Sequence, residues 1–217
     1  MPSRRDLDDH PFGPAVAGLI AEFNRLPGVG KKSAERLAYH ILNVSQDEAM
    51  GLAEASREVK TSVRRCVVCH NIADAETCRL CSDERRDRQV VCVVEQPKDV
   101  TVIESSGAYD GTYHVLGGRI APLDGVGPED LAIDQLLKRV KADGVREIVM
   151  ATNPTSEGDG TALYLSNVLA GIETPGPDGT LSPPQLTRLA RGIATGSVLE
   201  FANREMLADA MRGRQAF

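Results

Sequence analysis

Four of the five cysteines are spaced as ligands for a single metal ion. They form two pairs, Cys66-Val-Val-Cys69 and Cys78-Arg-Leu-Cys81, with eight residues between the pairs. Two such pairs can hold one Zn²⁺ tetrahedrally through four thiolates at ~2.3 Å. A pair of disulfides would need an oxidising compartment, which no other feature indicates, and a redox motif usually needs only one pair. We therefore expect a structural zinc site with no position left open for water.

A glycine-containing turn followed by basic residues is a second pattern with chemical meaning. Residues 26–30 read Leu-Pro-Gly-Val-Gly and separate two segments of helical periodicity. Glycine lets the backbone approach a ligand closely, and the first amides of the next helix are unpaired donors for phosphate. Lys31 and Lys32 lie at that helix terminus, and Arg36 follows Lys32 by one turn. We expect a helix-hairpin-helix that contacts the DNA backbone; the open alternative is a glycine-capped turn with a solvated lysine face.

Acidic residues follow two predicted strands. Glu95 comes directly after the apolar segment Val90–Val94, while Glu157 and Asp159 come after Val145–Ala151 and a turn. The carboxyl ends of parallel strands line the ligand crevice of an open sheet. Three carboxylates converging there could hold Mg²⁺ for phosphoryl transfer. Acids also cap helix N-termini routinely, and the spacing alone does not decide between these two interpretations.

Hydrophobic periodicity predicts the helices that frame the glycine turn. Apolar residues recur at helical spacing from Pro14 onward, and again after Gly30. A third helix is expected over about residues 47–64, with one face directed inward. That face comprises Leu52, Ala55, Val59 and Val63.

From residue 89 the pattern changes to alternating strands and helices, which is typical of an α/β domain. Cys92 lies within the first apolar strand and is expected to be an inert buried residue. The predicted strands are 90–94, 113–116, 145–151 and 186–190. The predicted helices are 97–105, 128–141, 158–170 and 204–211. Residues 171–184 hold seven Gly or Pro in fourteen positions, which predicts an exposed loop.

The composition excludes a membrane protein and makes secretion improbable. The chain has 217 residues, 41% of them hydrophobic, and its longest aliphatic run has five residues, far below the ~20 that span a bilayer. The net charge is −6, with 25 basic and 31 acidic side chains. Residues 1–90 carry 14 of each sign, so the whole excess of acid lies in residues 91–217. This asymmetry fits a neutral contact module joined to an acidic globular one.

Basic residues also gather around the cysteine pairs. Because acids are interleaved among them, they are equally consistent with a solvated surface and with DNA contact. The set is Lys60, Arg64, Arg65, Arg79, Arg85, Arg86 and Arg88.

The order of these parts resembles the RecR family of bacterial recombination mediators, over about residues 15–217. The resemblance is carried by several stretches that are specific only in combination. They are residues 26–36 (LPGVGKKSAER), 66–81, 93–95 (VVE), 113–118 (YHVLGG), 123–130 (LDGVGPED), 151–162 (ATNPTSEGDGTA) and 188–192 (RLARG).

The resemblance implies an α+β chain of several parts. These are a helix-hairpin-helix DNA-binding region (14–64), a four-cysteine zinc finger (65–88), a Toprim domain with a mostly parallel sheet (89–185) and a C-terminal strand-helix segment for oligomerisation (186–217). Residues 1–13, which are polar and have no periodicity, are expected to form a mobile tail. It places zinc on the four paired cysteines and DNA contacts on Lys32 and Arg36, beside Lys31. The Toprim acidic positions fall on Glu95, Glu157 and Asp159.

The resemblance further implies a homodimer or homotetramer that encloses DNA, whether single-stranded, duplex or gapped. Its implied partners are RecO and RecF, with which it helps to load RecA onto gaps coated by single-strand-binding protein, in the cytoplasm at the nucleoid.

Two departures bear on this assignment. Toprim enzymes carry Asp-x-Asp where this chain has Glu157-Gly-Asp159, a replacement typical of RecR-like members that are not regarded as catalysts. The segment 173–185 also looks longer than the usual connection in the family. The leading hypothesis is thus a non-enzymatic mediator that uses its acidic Toprim face for protein docking. The alternatives are a Mg²⁺-dependent Toprim nuclease and a zinc-and-helix scaffold with no role on DNA.

Overall fold

A computed structural model describes residues 11–175 and 180–215 of the chain. The chain divides into two compact units, residues 1–62 and 63–217, and each is described by itself. The tail predicted over residues 1–13 lies outside the described residues as far as residue 10, and Gly13 already begins the first helix.

The first unit is helical, as the periodicity predicts. Helix α1 spans Gly13–Asn24 and helix α2 spans Lys31–Asn43, joined by the glycine-containing turn. The two helices pack through small buried side chains, namely Ala17, Ala34 and Ala38. Alanine side chains at a helix contact allow the two backbones to approach closely. The turn between the helices can therefore be short and tight.

Helix α3 spans Gln46–Ser62 and corrects one prediction. Of the predicted inward face, Leu52 is 52% and Val59 is 58% exposed, and Ala55 is exposed as well, while Val63 lies beyond the end of the helix and is half-buried. No residue of α3 is buried. An apolar stripe at helical spacing shows which face of a helix avoids water, but it does not show what covers that face. Within its own unit, from residue 11 onward, this stripe stays uncovered.

The second unit begins with a small cysteine-containing knuckle. Strand β1 (Arg64–Arg65) pairs antiparallel with strand β2 (Ile72–Ala73), and the short helix α4 (Arg79–Ser82) follows. The hairpin loop carries the first cysteine pair, and α4 carries the second pair at its start and interior.

A parallel sheet forms the body of the second unit. Its strands are β3 (Asp87–Val94), β4 (Gly111–Val115), β5 (Glu147–Met150) and β8 (Gln185–Arg188). They lie in the order β4–β3–β5–β8, and each neighbouring pair is parallel. The chain leaves β3 for β4 on one side and then crosses to β5 on the other. The carboxyl ends of β3 and β5 therefore meet at a topological switch point, where ligands bind in open α/β sheets.

Helices cover both faces of this sheet. Alternate residues of β3 point to opposite sides: Val91 and Val93 join one apolar cluster, whereas Cys92 and Val94 join the other. The first cluster includes residues of α6 (Ile133–Asp143) and α7 (Ser156–Leu169); the second includes residues of α5 (Pro97–Ser106). Cys92 is 1% exposed, and burial raises the pKa of its thiol to about 12, in line with an inert core residue.

The segment predicted as one helix over 128–141 is instead two pieces. Pro128–Asp130 forms a single 3₁₀ turn, closed where the Asp130 carboxylate accepts a hydrogen bond from the Gly127 amide at 2.8 Å. Leu131 is then extended, and α6 begins only at Ile133. A proline followed by acidic residues is typical of the first turn of a helix. Here the helix ends after this single 3₁₀ turn.

The remainder of the chain is irregular between short elements. Residues 171–184 were predicted as a loop, and their described part contains a short antiparallel pair, β6 (Thr174–Pro175) with β7 (Leu181–Ser182). A 3₁₀ turn lies at Pro122–Asp124 and another at Leu199–Phe201, and α8 spans Arg204–Arg212. No helix in the described ranges combines the length and the apolar character needed to cross a membrane.

Candidate zinc centre and nucleic-acid interface

The four paired cysteines converge on one point. Their sulfur atoms all lie within 4.8 Å of one another, and the four residues are almost fully buried. A tetrahedron with ~2.3 Å metal–sulfur bonds needs sulfur atoms spaced at this scale. Among the described residues, this is the one group of three or more Cys, His, Asp or Glu side chains that is gathered closely enough to hold a metal ion.

Backbone hydrogen bonds explain why the sequence folds locally into this cluster. The Cys66 amide donates to the Asn71 carbonyl at 2.8 Å, and the His70 amide donates to the Cys66 carbonyl at 3.0 Å. His70 has a φ of 60°, a left-handed conformation that reverses the chain after the first pair. The Cys78 amide donates to the Cys66 sulfur at 3.3 Å, which ties the second pair to the first.

The chemistry of the donor set fits zinc. Zinc binds thiolates rather than thiols, so the ligands must lose protons readily. The Cys69 and Cys78 sulfurs lie 3.5 Å apart, close enough for one ion to bind both. With four protein sulfurs present, the site has the closed ligand set of structural zinc.

The knuckle is attached to the parallel sheet. The Val115 amide, at the end of β4, donates to the Cys69 carbonyl at 2.8 Å. Leu80 of α4 packs against both the cysteine cluster and the apolar cluster that contains Val94 and Tyr113. Loss of the metal would therefore disturb the edge of the sheet as well as the knuckle.

The predicted DNA-contacting residues stand at the start of α2. Gly28 has a φ of +79°, which the turn requires, and Gly30 is the helix N-cap. Lys31, Lys32 and Arg36 are exposed, and within their own unit, from residue 11 onward, they make no hydrogen bond or ion pair. Lys32 and Arg36 lie one turn apart on one face, beside the unpaired amides of the first turn.

The basic residues around the knuckle are not equivalent. Arg86 is largely buried and donates to both carboxylate oxygens of Glu104, at 3.0 and 2.5 Å, and to the Gly111 carbonyl. This side chain is structural, so the prediction of a basic DNA-facing set does not hold for it. Arg85 pairs with Asp83 at 2.8 Å but remains exposed.

Glu95 occupies the switch point of the sheet, as the sequence predicts, but it is engaged by the protein. It is 4% exposed. Its two oxygens accept hydrogen bonds from the Asn153 backbone amide at 2.8 Å and from the Asn153 side-chain amide at 2.7 Å. Gly158 makes this approach possible, because a Cβ there would lie 2.9 Å from Glu95 Oε1 and would collide with the Asn153 carbonyl.

Asp159 lies in the first turn of α7 and is also paired. It accepts hydrogen bonds from Arg188 at 3.0 Å and from Arg191. Arg188 is the last residue of β8, and Arg191 follows that strand. Hydrogen bonding to Arg191 lowers the pKa of the Asp159 carboxyl. This pair of arginines ties the segment after β8 to α7.

Glu157 differs from the other two acids because it is exposed. Its carboxylate accepts a hydrogen bond from the Ser156 hydroxyl at 3.0 Å, and hydrogen bonding to its own backbone amide lowers its pKa. Glu95, Glu157 and Asp159 do not form a compact ligand group among the described residues. The hypothesis that the three carboxylates converge is therefore not supported, whereas the capping role holds in part, since both Glu157 and Asp159 lie in the first turn of α7.

Three functional side chains at this edge were missed by the sequence reasoning. Asn153, Arg188 and Arg191 were quoted only as parts of family-like stretches, without roles. Asn153 had a usable signal, because it follows a predicted strand directly and so lies at the same edge as Glu95. The arginines had none, since their contact with Asp159 spans about thirty residues.

The architecture and the comparisons together define the class of protein. The parallel sheet with its glutamate at the switch point lies within a match to the Toprim domain, over residues 89–175. A RecR zinc finger domain of the four-cysteine type matches residues 63–83, which include all four converging cysteines, so the predicted structural zinc site is confirmed. The chain is thus a Toprim-domain protein with a zinc finger ahead of the sheet.

The helices of the first unit specify the family. Residues 16–59 match the RecR helix-hairpin-helix, and the zinc finger match is also to the RecR type. A Rhodopirellula baltica protein named Recombination protein RecR is 55% identical over 93% of this chain and 96% of its own length. Proteins of the same name from Rubrobacter xylanophilus and Bifidobacterium longum are 45% and 47% identical, over 94% and 93% of this chain and 98% and 96% of their own lengths. The chain belongs to the RecR family.

Proposed function

We propose that this chain is a non-enzymatic mediator of recombinational DNA repair. It binds DNA through the helix-hairpin-helix as an oligomeric clamp, and with RecO and RecF it helps to load RecA on gapped single-stranded DNA in the cytoplasm, at the nucleoid. The observation that carries the proposal is the exposed, uncommitted cluster of Lys31, Lys32 and Arg36 beside the glycine turn. Phosphate contacts of this kind position a protein on DNA without reading its sequence.

The state of the Toprim acids supports a role without catalysis. A carboxylate that binds Mg²⁺ must present free oxygens to the ion. Glu95 has both oxygens bonded to Asn153, and Asp159 is neutralised by Arg188 and Arg191. The rival Mg²⁺-dependent nuclease would first have to release Asp159 from its two arginines.

The exposed stripe of α3 supports self-association. Leu52 and Val59 lie two turns apart on one face of the helix, and each is more than half exposed. Large apolar side chains grouped on a surface mark a protein interface. We expect the full chain to sediment as a dimer or tetramer at micromolar concentration, and Leu52→Glu to shift it toward a smaller species; a strictly monomeric wild type would contradict the clamp.

Glu157 is the acid best placed to meet a protein partner. It is exposed and forms no ion pair with the described residues of its unit, although Arg119 is within electrostatic reach, whereas Asp159 is already paired with two arginines. We expect Glu157→Gln to weaken binding of RecO or RecF several-fold and to leave DNA affinity unchanged, as measured by pull-down and fluorescence anisotropy. Glu129→Gln, an exposed acid elsewhere in the same unit, is the matched control. Weaker DNA binding with intact partner binding would contradict this role.

A reconstituted loading assay tests the whole proposal. Gapped DNA is coated with single-strand-binding protein, and assembly of RecA filaments is followed with and without this chain and RecO. The proposal expects faster assembly that depends on Lys32 and Arg36, with the DNA left intact. Assembly that proceeds equally well without the chain would contradict it.

A further inference from the structure

A second basic site lies in the second unit, away from the glycine turn. An open cavity of about 770 Å³ is formed where the knuckle meets the carboxyl edge of the sheet. Four basic side chains line it: Arg64 and Arg65 from β1, Lys98 from the first turn of α5, and Arg119 from the loop after β4. One carboxylate, that of Glu95, lines it as well.

Three of these cations are not held by structural contacts of their side chains within the described part of the second unit. Within the second unit, over residues 63–175 and 180–215, Arg64, Lys98 and Arg119 make no hydrogen bond or ion pair. Arg65 donates to the His70 carbonyl at 3.1 Å, and Arg119 is within electrostatic reach of Glu157, which lies outside the cavity lining. Like charges gathered around one cavity repel one another, and an anion bound between them relieves that repulsion.

The cations of the cavity differ from two other arginines of the unit, which are held by acidic partners. Arg86 is held by Glu104, and Arg191 is held by Asp159. Those arginines stabilise the fold. Within the described residues, the side chains of Arg64, Lys98 and Arg119 are not held in this way, and Glu95, the one acid in the lining, is hydrogen-bonded to Asn153.

We infer that this cavity binds phosphate groups of a nucleic-acid strand. The lining contains no aromatic side chain on which a base could stack, so the contact is with the backbone rather than with bases. A DNA strand presents a charge about every 3.4 Å along its axis, which suits cations supplied from three separate parts of the chain. The open shape admits a strand that passes through, whereas small-molecule sites enclose most of their ligand.

This inference rests on the proposed function only in taking DNA as the ligand. The site shares no residue with the glycine turn, so the two can fail independently. Lys98 and Arg119 are the residues to test, because Arg65 contacts the knuckle backbone and Arg64 pairs within the knuckle strand.

The experiment measures anisotropy of a labelled single-stranded oligonucleotide with the full chain, over a range of salt concentrations. The Lys32→Ala, Arg36→Ala background removes the contribution of the glycine turn. In that background, Lys98→Ala with Arg119→Ala is expected to weaken binding roughly threefold or more, and to reduce the salt slope by about 0.7 per lost contact. Lys138→Ala with Lys141→Ala removes the same charge from positions on α6, away from the cavity, and should change little.

Several outcomes would overturn the inference. Equal effects of the two double substitutions would mean general electrostatic attraction, and an unchanged affinity would mean no site at the cavity. An oligoglutamate peptide serves as competitor: if it displaces DNA as effectively as an oligonucleotide of equal charge, and does so only when Lys98 and Arg119 are intact, the ligand is an acidic protein. If Lys32→Ala with Arg36→Ala has no effect while the cavity variant does, the inference stands and the proposed turn contact fails. Unchanged thermal unfolding shows that each variant is folded.

Discussion

Replacement of Cys69 by serine is expected to produce the largest loss of stability of any single change in this chain. Serine keeps the size of the side chain, but its hydroxyl does not deprotonate at neutral pH and cannot replace a thiolate at zinc. Apparent binding energies of structural zinc are about 10–16 kcal/mol in zinc-finger peptides, and this energy is folding energy. Because the Cys69 carbonyl also accepts from Val115, damage to the knuckle reaches the sheet.

The measurement is zinc content by metal analysis together with the thermal midpoint. Losing even about 4 kcal/mol would lower the midpoint by roughly 10 °C in a chain of this size. Cys92→Ala is the matched control, since it removes a buried sulfur from the sheet core and should retain one zinc per chain. If Cys69→Ser folds as well as wild type, or if a strong chelator leaves the midpoint unchanged, the structural role of zinc is wrong.

Combined replacement of Lys32 and Arg36 by alanine is expected to produce the largest loss of DNA affinity. Both side chains are exposed on one face of α2, so their removal should leave helix packing unchanged. For each subunit that contacts the DNA, two lost phosphate contacts should reduce the slope of log affinity against log salt by about 1.4 on single strands and about 1.8 on duplex DNA. At low salt, we expect affinity to fall by roughly tenfold or more, because an oligomer would lose the contacts in every subunit.

Arg25→Ala with Arg57→Ala is the control for charge alone. These arginines belong to the same unit and carry the same total charge, but each is paired with an acid of its own helix, Glu22 or Glu54. The control should reduce the affinity far less than the Lys32 and Arg36 pair. Equal losses would show that the net charge of the unit, rather than the glycine turn, governs binding.

The sequence predicts those parts of the site whose geometry is local. The two cysteine pairs lie within sixteen residues, so spacing alone specifies their convergence. The turn before α2 is equally local, because glycine and the first helical residues determine it. The position of Glu95 at the edge of the sheet was also predictable, since an acid that directly follows a strand lies at the end of that strand.

Contacts between distant segments were not predictable in the same way. Asn153 lies 58 residues from Glu95; its position just after a predicted strand places it at the same edge of the sheet, but the sequence does not show that the two residues hydrogen-bond. The arginines that neutralise Asp159 come from the end of the last sheet strand and beyond it, which changes the meaning of that acid from a metal ligand to an anchor. For α3, the apolar pattern is present but the face is exposed, because periodicity shows which side of a helix avoids water and not whether a neighbouring element packs on it.

The central claim is that this RecR-family chain holds DNA through phosphate contacts without cutting it. The most direct measurement is a salt titration of binding to gapped DNA in the presence of Mg²⁺, with the DNA recovered and examined on a denaturing gel. The account predicts affinity that falls steeply with salt, while the DNA remains intact over the full incubation. Mg²⁺-dependent cleavage that Glu95→Ala abolishes would contradict it and would make the Toprim edge an active site.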